Sequence, residues 1–407
     1  MPKDQILIDW PLTPYTGWGS YGIQLAQALI ARNQIRVVVS CKADRSPHCD
    51  PIWISQLDAI EEFSKQLIKQ IIEEPNTVLK TNSKIAMCPI GNLVPPLRIY
   101  AEHQVGVAFF ERSSVNEKFK QELKKYSLII TGSKWNQKVL RNNGVNHSEM
   151  VHQGVDRSKF NSVPIPKLLN RPFVIFAGGK LEARKGQDIV IEAFKRFNKY
   201  CPNSILIACW GNIGNVGLNT ISTSKYVTES PLNGDAKSLF HWLIKNEITP
   251  GNIMVPEIVS NAHLPNIMKQ ADVAVFTSRC EGGTNLMAME TLACGIPTLI
   301  SANTGHLDLI EMGMDHLIAV GSDGVGKVPA LITADYGGDE AAEWGETNPD
   351  ELVECWLRLW KEKEAWREKG IIGAKYMNAM SWHKSMNELI ELLESKGLCK
   401  PNSFLSS

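Results

Sequence analysis

The sequence predicts an α/β fold with parallel sheets, divided into two domains. Three observations predict it. Strand-like and helix-like segments alternate along the whole chain, the pattern of consecutive βαβ units. The chain has 407 residues, and domains typically run about 100–200. Near its middle, SVPIPKLLNRP (162–172) carries three prolines and little periodicity, the composition of a hinge.

The elements follow in order. QILIDW (5–10) is a short apolar strand, and SYGIQLAQALIARN (20–33) places Ile23, Ala26, Leu29 and Ile30 at helical spacing. IRVVVS (35–40) is a β-branched strand; EEFSKQLIKQIIEE (61–74) is an amphipathic helix stopped by Pro75. IYAEHQVGVAFFE (99–111) holds more strand material, and LIITGS (128–133) is a strand whose Ser133 suits the N-cap of a helix from Lys134. A second series starts at PFVIFAGG (172–179) and runs through the helix QDIVIEAFKRFNKY (187–200) and the strands SILIAC (204–209) and ADVAVFTS (271–278). The helix NLMAMETLAC (285–294) then ends at Gly295 and Pro297, before the strand TLIS (298–301). Residues 321–349, rich in Gly, Asp and Pro, read as a long loop insertion, followed by helices at 351–370 and 381–397.

Composition narrows the function. Lys plus Arg and Asp plus Glu each number 43, so there is no basic excess of the kind a nucleic-acid partner selects. The nine cysteines form no C-x-x-C pair, which reads as a reduced, cytosolic chain. The cluster Cys41, His48, Cys49 lacks metal-site spacing and reads as a surface loop. The N-terminus enters a strand without a signal-peptide pattern, and no apolar run reaches the about 18 residues of a spanning helix.

Three segments carry candidate chemistry. In SRCEGGTNLMAMETLACGIP (278–297), a strand feeds a loop with Gly282 and Gly283 and then a helix. Backbone N–H groups and the dipole at such a helix start attract phosphate. Glu290, near the helix start, could accept two ribose hydroxyls; alone it would read as a solvated glutamate, but beside Glu281 and the glycines the functional reading is favoured. In FAGGKLEARKGQD (176–188), Lys180 and Lys185 flank a turn where ammonium groups could meet a diphosphate; a solvated basic turn is the alternative. GWGSYG (17–22) matches G-x-G-x-x-G through Gly17, Gly19 and Gly22, with Asp44 after the second strand, so an NAD-dependent oxidoreductase is a rival reading. PLTPYT (11–16) separates strand from glycines, which fits a glycine loop lining a cleft better than a dinucleotide fingerprint.

With these residues in view, the second half resembles the retaining glycosyltransferases of family four (glycosyl transferases group 1). EGGTNLMAMETLACGIPTL resembles that family's two glutamates joined through a Gly-rich loop. GGKLEARKGQDIVIEAF resembles its G-R-x(4)-K-G segment, and VHQGVDRSKF, with Gly154, Val155, Asp156 and Phe160, its N-G-V-D linker entry. The resemblance is strong from about Tyr126 to Ile310. It implies a GT-B architecture: two Rossmann-like domains facing each other across a cleft, residues 1–165 for the acceptor and 171–380 for the nucleotide-sugar, with 381–407 crossing back to the first.

The resemblance also implies roles. Lys180 and Lys185 would hold the donor phosphates. Glu281 and the amides of Gly283, Thr284 and Asn285, with Gly282 and Leu286 beside them, would meet the transferred sugar and phosphate, and Glu290 the ribose. Gly17, Gly19 and Ser20 would approach from the opposite domain. His103 is the candidate for the family's sugar-facing histidine, with a structural histidine as alternative, and Glu111 the candidate on the acceptor side, with a strand-end ion pair as alternative. Two departures stand out: eight residues, not the usual seven, separate Glu281 from Glu290, and Lys180 replaces the family's Arg, losing its bidentate fork.

The expected function is transfer of a sugar, of the hexosyl type, from a nucleotide-sugar to a glycan, lipid-linked or small-molecule acceptor, with retention. No cofactor or metal is expected, and the chain holds no D-x-D. The alternatives are the oxidoreductase, a GT-B epimerase or phosphorylase, and a catalytically inactive binding protein. The lysine-rich segment 116–141 reads either as a solvated face or as peripheral contact with the inner membrane face.

Overall fold

The computed structural model describes residues 4–32, 35–46, 50–92, 96–334 and 341–400. His48 and Cys49 of the cysteine cluster, and the tail 401–407, lie outside the described residues.

The first half alternates β1 (Asp4–Ile8), α1 (Gly17–Ile30), β2 (Ile35–Val39), α2 (Pro51–Glu73), β3 (Leu79–Lys80), β4 (Ile85–Ile90), β5 (Ile99–Tyr100), β6 (His103–Ala108), α3 (Glu117–Leu123), β7 (Leu128–Thr131), α4 (Lys134–Asn142) and β8 (Ser148–Met150). Its main sheet is parallel, in the order β2-β1-β4-β6-β7-β8, with β3 and β5 paired separately. The strands are apolar on both faces because both are covered. Ile6 and Ile8 face one core with α1 and α2, while Leu7 between them faces the other with α3 and α4.

The second half repeats this plan with β9 (Val174–Gly179), α5 (Gln187–Phe197), β10 (Ile205–Trp210), α6 (Ala236–Lys245), β11 (Ile253–Met254), α7 (Leu264–Met268), β12 (Val273–Phe276), α8 (Leu286–Ala293), β13 (Thr298–Ser301), α9 (Leu307–Ile310) and β14 (Leu317–Val320). The sheet order is β11-β10-β9-β12-β13-β14, again parallel. Short α10 (Ala330–Thr333), then α11 (Pro349–Lys361), α12 (Lys363–Gly373) and α13 (Trp382–Ser395), complete the chain. No helix among the described residues is long and apolar enough to cross a membrane.

The last helix packs on the first half. Trp382, Met386, Leu389, Ile390 and Leu393 of α13 are buried in the same core as Leu25 and Leu29 of α1. The chain therefore passes between the halves twice, and the two passages lie side by side. Val155 N–H donates to Met380 C=O at 2.8 Å, and Trp382 N–H to Val155 C=O at 3.3 Å. A Cβ on Gly154 would stand 2.3 Å from the Trp382 nitrogen, so only glycine permits this crossing.

The hinge expected at 162–172 thus lies earlier. Phe160 is already part of the second domain's core, and the Pro-rich stretch rides on that domain, with Lys167 Nζ donating to the carbonyls of Gln270 and Ala271 at 2.9 and 2.8 Å. Proline marks extended backbone, which here runs along a surface rather than between two.

Candidate functional site

In a doubly wound sheet the crevice for ligands opens at the carboxyl ends of the strands where the order reverses. The reversals fall between β1 and β4 in one sheet and between β9 and β12 in the other. Their loops meet: Thr16, Gly17, Trp18 and Ser20 after β1, Gly179, Lys180, Arg184 and Lys185 after β9, and Glu281, Gly282, Gly283, Asn285 and Leu286 after β12 contribute to one cleft of about 550 Å³. A Cβ on Gly17 would lie 3.5 Å from Leu286 Cδ1. The amino ends of α1 and α8 therefore face each other across it.

Asn285 shapes the second helix start. It holds φ 62° as N-cap of α8, and its Oδ1 accepts from Ala288 N–H at 3.3 Å. The first turn of a helix leaves its N–H groups without intrahelical partners; those of Leu286 and Met287, both lining the cleft, stand ahead of the capped one. Gly282 and Gly283 are needed for closeness rather than for torsion: a Cβ would meet the Phe110 backbone oxygen at 2.6 Å or Gln153 Oε1 at 2.7 Å. Thr284 is the exception in this loop. It is fully buried and its hydroxyl donates to Met289 Sδ at 2.9 Å, so its side chain serves the core.

The charged groups form one internally paired cluster. Lys185 Nζ lies 2.6 and 2.8 Å from the Glu281 oxygens, Lys180 Nζ 2.9 Å from Glu182, and Arg184 contacts Glu182, Glu281 and Glu111. Burial pushes the Glu281 carboxyl up, but Lys185 and Arg184 outweigh it and hold it at about 2. Ser278 Oγ and Asn285 Nδ2 also donate to it, at 2.5 and 3.0 Å. Asn285 Nδ2 lies 3.3 Å from Nε2 of the buried His306, whose Nδ1–H donates to Ser301 C=O at 3.0 Å. Burial lowers His306 to about 4, so it stays neutral and steers the Asn285 amide. Arg279, fully buried, braces the loop from behind through Asp188 at 2.7 and 2.8 Å and Glu346 at 2.5 Å.

Glu290 lines the same cleft, buried and 3.4 Å from Asn261 Nδ2. Burial, reinforced by Asp156, raises its carboxyl to about 8. The extra residue between the glutamates is accommodated in the loop, since both carboxylates reach the cleft.

On the facing domain, Glu111 bridges the halves. Its Oε1 lies 3.4 Å from Arg184 Nη1 and its Oε2 accepts from Asn92 Nδ2 at 2.5 Å. Burial raises its carboxyl while Arg184 opposes. Gly17 and Ser20 line the cleft, but the expected loop is helix: α1 begins at Gly17, capped by Thr16 Oγ1, which accepts from Gly19 N–H at 3.0 Å. Gly19 does not line the cleft. A Cβ there would stand 2.2 Å from Thr13 C=O, and one on Gly22 2.4 Å from Leu12; both glycines answer internal packing. Asp44 accepts from Thr13 Oγ1 at 2.9 Å and Ser46 N–H at 2.8 Å, pinning the β1–α1 connection. Two of the three glycines of the G-x-G-x-x-G match are thus accounted for by packing, and Gly17 alone faces the cleft.

His103, expected to face the sugar, does not line the cleft. It opens β6 beside Ile85, at the amino edge of the parallel sheet, with Nε2 3.5 Å from Glu102. The cleft begins past the other end of that strand, six residues or about 20 Å away.

Sequence reasoning missed Arg184, Gln153 and His306. Arg184 was legible as a third cation beside Lys180 and Lys185; nothing local marks the other two. Four of the six lysines of 116–141 are held in ion pairs, Lys120 with Glu117 at 2.9 Å, Lys125 with Glu122 at 2.6 Å, Lys134 with Glu311 at 2.5 Å and Lys138 with Glu343 at 3.2 Å. Two of these tie the first domain to the second.

Residues 159–324 match the family model described as glycosyl transferases group 1. No curated protein matches the chain significantly. Among solved structures, the sucrose-phosphate synthase of Thermosynechococcus elongatus aligns at 14% identity and TM-score 0.62, covering 97% of this chain and 99% of that one. HepE of Anabaena, solved in complex with UDP-glucose, aligns at 14% identity and TM-score 0.60 over 96% and 99%. A glycosyltransferase from Rickettsia africae aligns at 12% and 0.61 over 97% and 99%. The fold is therefore that of GT-B glycosyltransferases: two α/β domains with parallel sheets.

Proposed function

We propose that this chain, whose residues 159–324 match the family model of glycosyl transferases group 1, is a glycosyltransferase that transfers a sugar from a nucleotide-diphosphate donor with retention and without a metal. The observation that carries this reading is the meeting of two helix amino ends, the Gly282–Gly283 loop, three cations and Glu290 in one cleft. HepE, of the same fold, is solved with UDP-glucose, which supports a nucleotide-sugar as the ligand.

The donor's ribose would lie on Glu290, and its diphosphate between the starts of α1 and α8. The difficulty of the reaction is a departing diphosphate and a cationic sugar carbon. Lys180, Arg184 and Lys185 and the N–H groups of α8 would stabilise the charge as it develops on the leaving group. The three are already paired with Glu182 and Glu281, so the diphosphate competes with these carboxylates for them. The bond from the anomeric carbon to the diphosphate oxygen breaks, the bond to the acceptor oxygen forms on the same face, and the acceptor proton passes to the leaving diphosphate. No protein base is then required. The acceptor, whether glycan, lipid-linked or small molecule, would enter from the side of Trp18 and Glu111, and the reaction would take place in the cytoplasm.

Thermal stabilisation against UDP, GDP, ADP, their common sugars and NAD(H), without added metal, tests the reading. A ligand specific to the folded state stabilises it by about 2.7 kcal/mol at a hundredfold excess over Kd. A response to one nucleoside diphosphate names the donor base. A response to NAD(H) alone, or to none of the panel, defeats the proposal.

A further inference from the structure

Across the cleft from the glycine loop stands an aromatic wall. Trp18, the second residue of α1, and Phe109, just past β6, line the cleft and are partly exposed. Their ring centres are 5.1 Å apart at 81°. Each is braced from behind by a buried ring: Trp18 by Trp10 at 5.6 Å and Phe109 by Tyr21 at 5.8 Å. Trp10 Nε1 also donates to the Trp18 carbonyl at 3.0 Å. The outer pair is therefore held in place while offering surface to the cleft.

Beside it is Gln153, 7% exposed and lining the cleft. Its side-chain amide hydrogen-bonds to no described residue. The amide opens onto the cleft, where it can both donate and accept. The wall reaches the loop of the opposite domain: a Cβ on Gly283 would lie 2.7 Å from Gln153 Oε1 and 3.0 Å from Phe109 Cδ1.

We propose that Trp18, Phe109 and Gln153 form an acceptor subsite for a saccharide, whose pyranose ring lies against the aromatic wall while a hydroxyl engages the Gln153 amide. The inference rests on the transferase reading, which seats the donor on the opposite domain. A pyranose carries C–H groups on its face and hydroxyls on its rim. The C–H face suits aromatic rings, which are apolar with an electron-rich face, and the rim suits an amide. A wholly apolar acceptor would displace water from the Gln153 amide without replacing its hydrogen bonds.

The test uses the full chain with the donor that stabilises it. Transfer to methyl glycosides and to decyl phosphate is compared with donor hydrolysis in water. Trp18→Ala is expected to raise the KM for the best methyl glycoside about tenfold or more, with the donor KM in hydrolysis changing less than about twofold. Trp18→Phe is expected to restore most of the loss, and Gln153→Ala to raise the same acceptor KM. Equal losses in acceptor and donor KM, or transfer by the unmodified protein to decyl phosphate but to no methyl glycoside, overturn the proposal. Absence of both donor hydrolysis and thermal stabilisation overturns the transferase reading and this one with it; that outcome is recognised without any acceptor.

Discussion

Lys185 Nζ and the Glu281 carboxylate lie 2.6 and 2.8 Å apart across 96 residues of sequence, joining the loop after β9 to the loop after β12. Removing one partner of a buried pair costs about 3–5 kcal/mol; here Arg184, Ser278 and Asn285 still hold Glu281, so Lys185→Ala is expected near the lower end. The larger effect is on chemistry, since a lost stabiliser of leaving-group charge typically lowers turnover about 10²–10³-fold. The pair also carries an acid signature. Glu281 titrates at about 2 in the folded chain, below its ordinary 4.5, so its stabilisation is present above pH 4.5 and fades as pH falls towards 2. Urea unfolding of the two forms at pH 7, 4.5 and 3 should show their difference shrinking at the acid end. A constant difference, or normal turnover, would sink the assignment.

Glu290 behaves in the opposite sense. Burial, with Asp156, raises it from 4.5 to about 8. Its folded form therefore loses stability as pH rises from 4.5 towards 8, where the unfolded chain is already ionised. Ribose hydroxyls donate to a carboxylate and favour its charged form. Donor affinity is expected to rise between pH 6 and 8, by at most about tenfold per unit, and Glu290→Gln to flatten the profile and weaken binding. A nucleotide-sugar, lacking a titrating terminal phosphate, is the ligand to use in calorimetry. An unchanged affinity over that range argues against the ribose role.

Much of this architecture was legible because its signals are local. The strand–glycine loop–helix pattern around Glu281 and Glu290 needs only consecutive residues, and so does Ser133 as N-cap, whose hydroxyl takes Asn136 N–H at 3.1 Å. What could not be read depends on distant neighbours. Gly17 and Gly19 look alike in sequence, yet one faces Leu286 of the other domain and the other faces Thr13. His103 and His306 are both strand-adjacent histidines, but only the topology shows which strand end each occupies. Gln153 belongs to the crossing and gains its meaning from Gly283 in the partner domain. The hinge was misread because proline reports backbone conformation, not which core a segment joins.

The two glycines make a matched experiment. Gly19→Ala puts a methyl within 2.2 Å of the Thr13 carbonyl and is expected to cost about 1–3 kcal/mol, as overpacking does. Gly17→Ala meets only Leu286 Cδ1, at 3.5 Å, and a helical alanine gains up to about 1 kcal/mol over glycine. It should leave stability intact while narrowing the cleft and raising the donor KM. Equal stability losses in the two variants would refute the packing difference.

Trp344 ties the insertion to the first domain. It is fully buried in a core shared with Phe110 and Trp135 of that domain and Ala183 and Cys280 of its own. Its Nε1 donates to Glu111 C=O at 2.7 Å, and its neighbour Glu343 accepts from Trp135 Nε1 at 2.7 Å. Trp344→Ala is expected to cost about 3–5 kcal/mol, as deletion of a buried aromatic does. Because the contact joins the two domains, the loss should appear first as their separation, seen as a larger radius of gyration in solution scattering before global unfolding in urea. Saturating donor should reverse part of that expansion, since a ligand held by both helix amino ends favours the closed arrangement. If the variant unfolds in one transition with no prior expansion, Trp344 stabilises its own domain and not the closure.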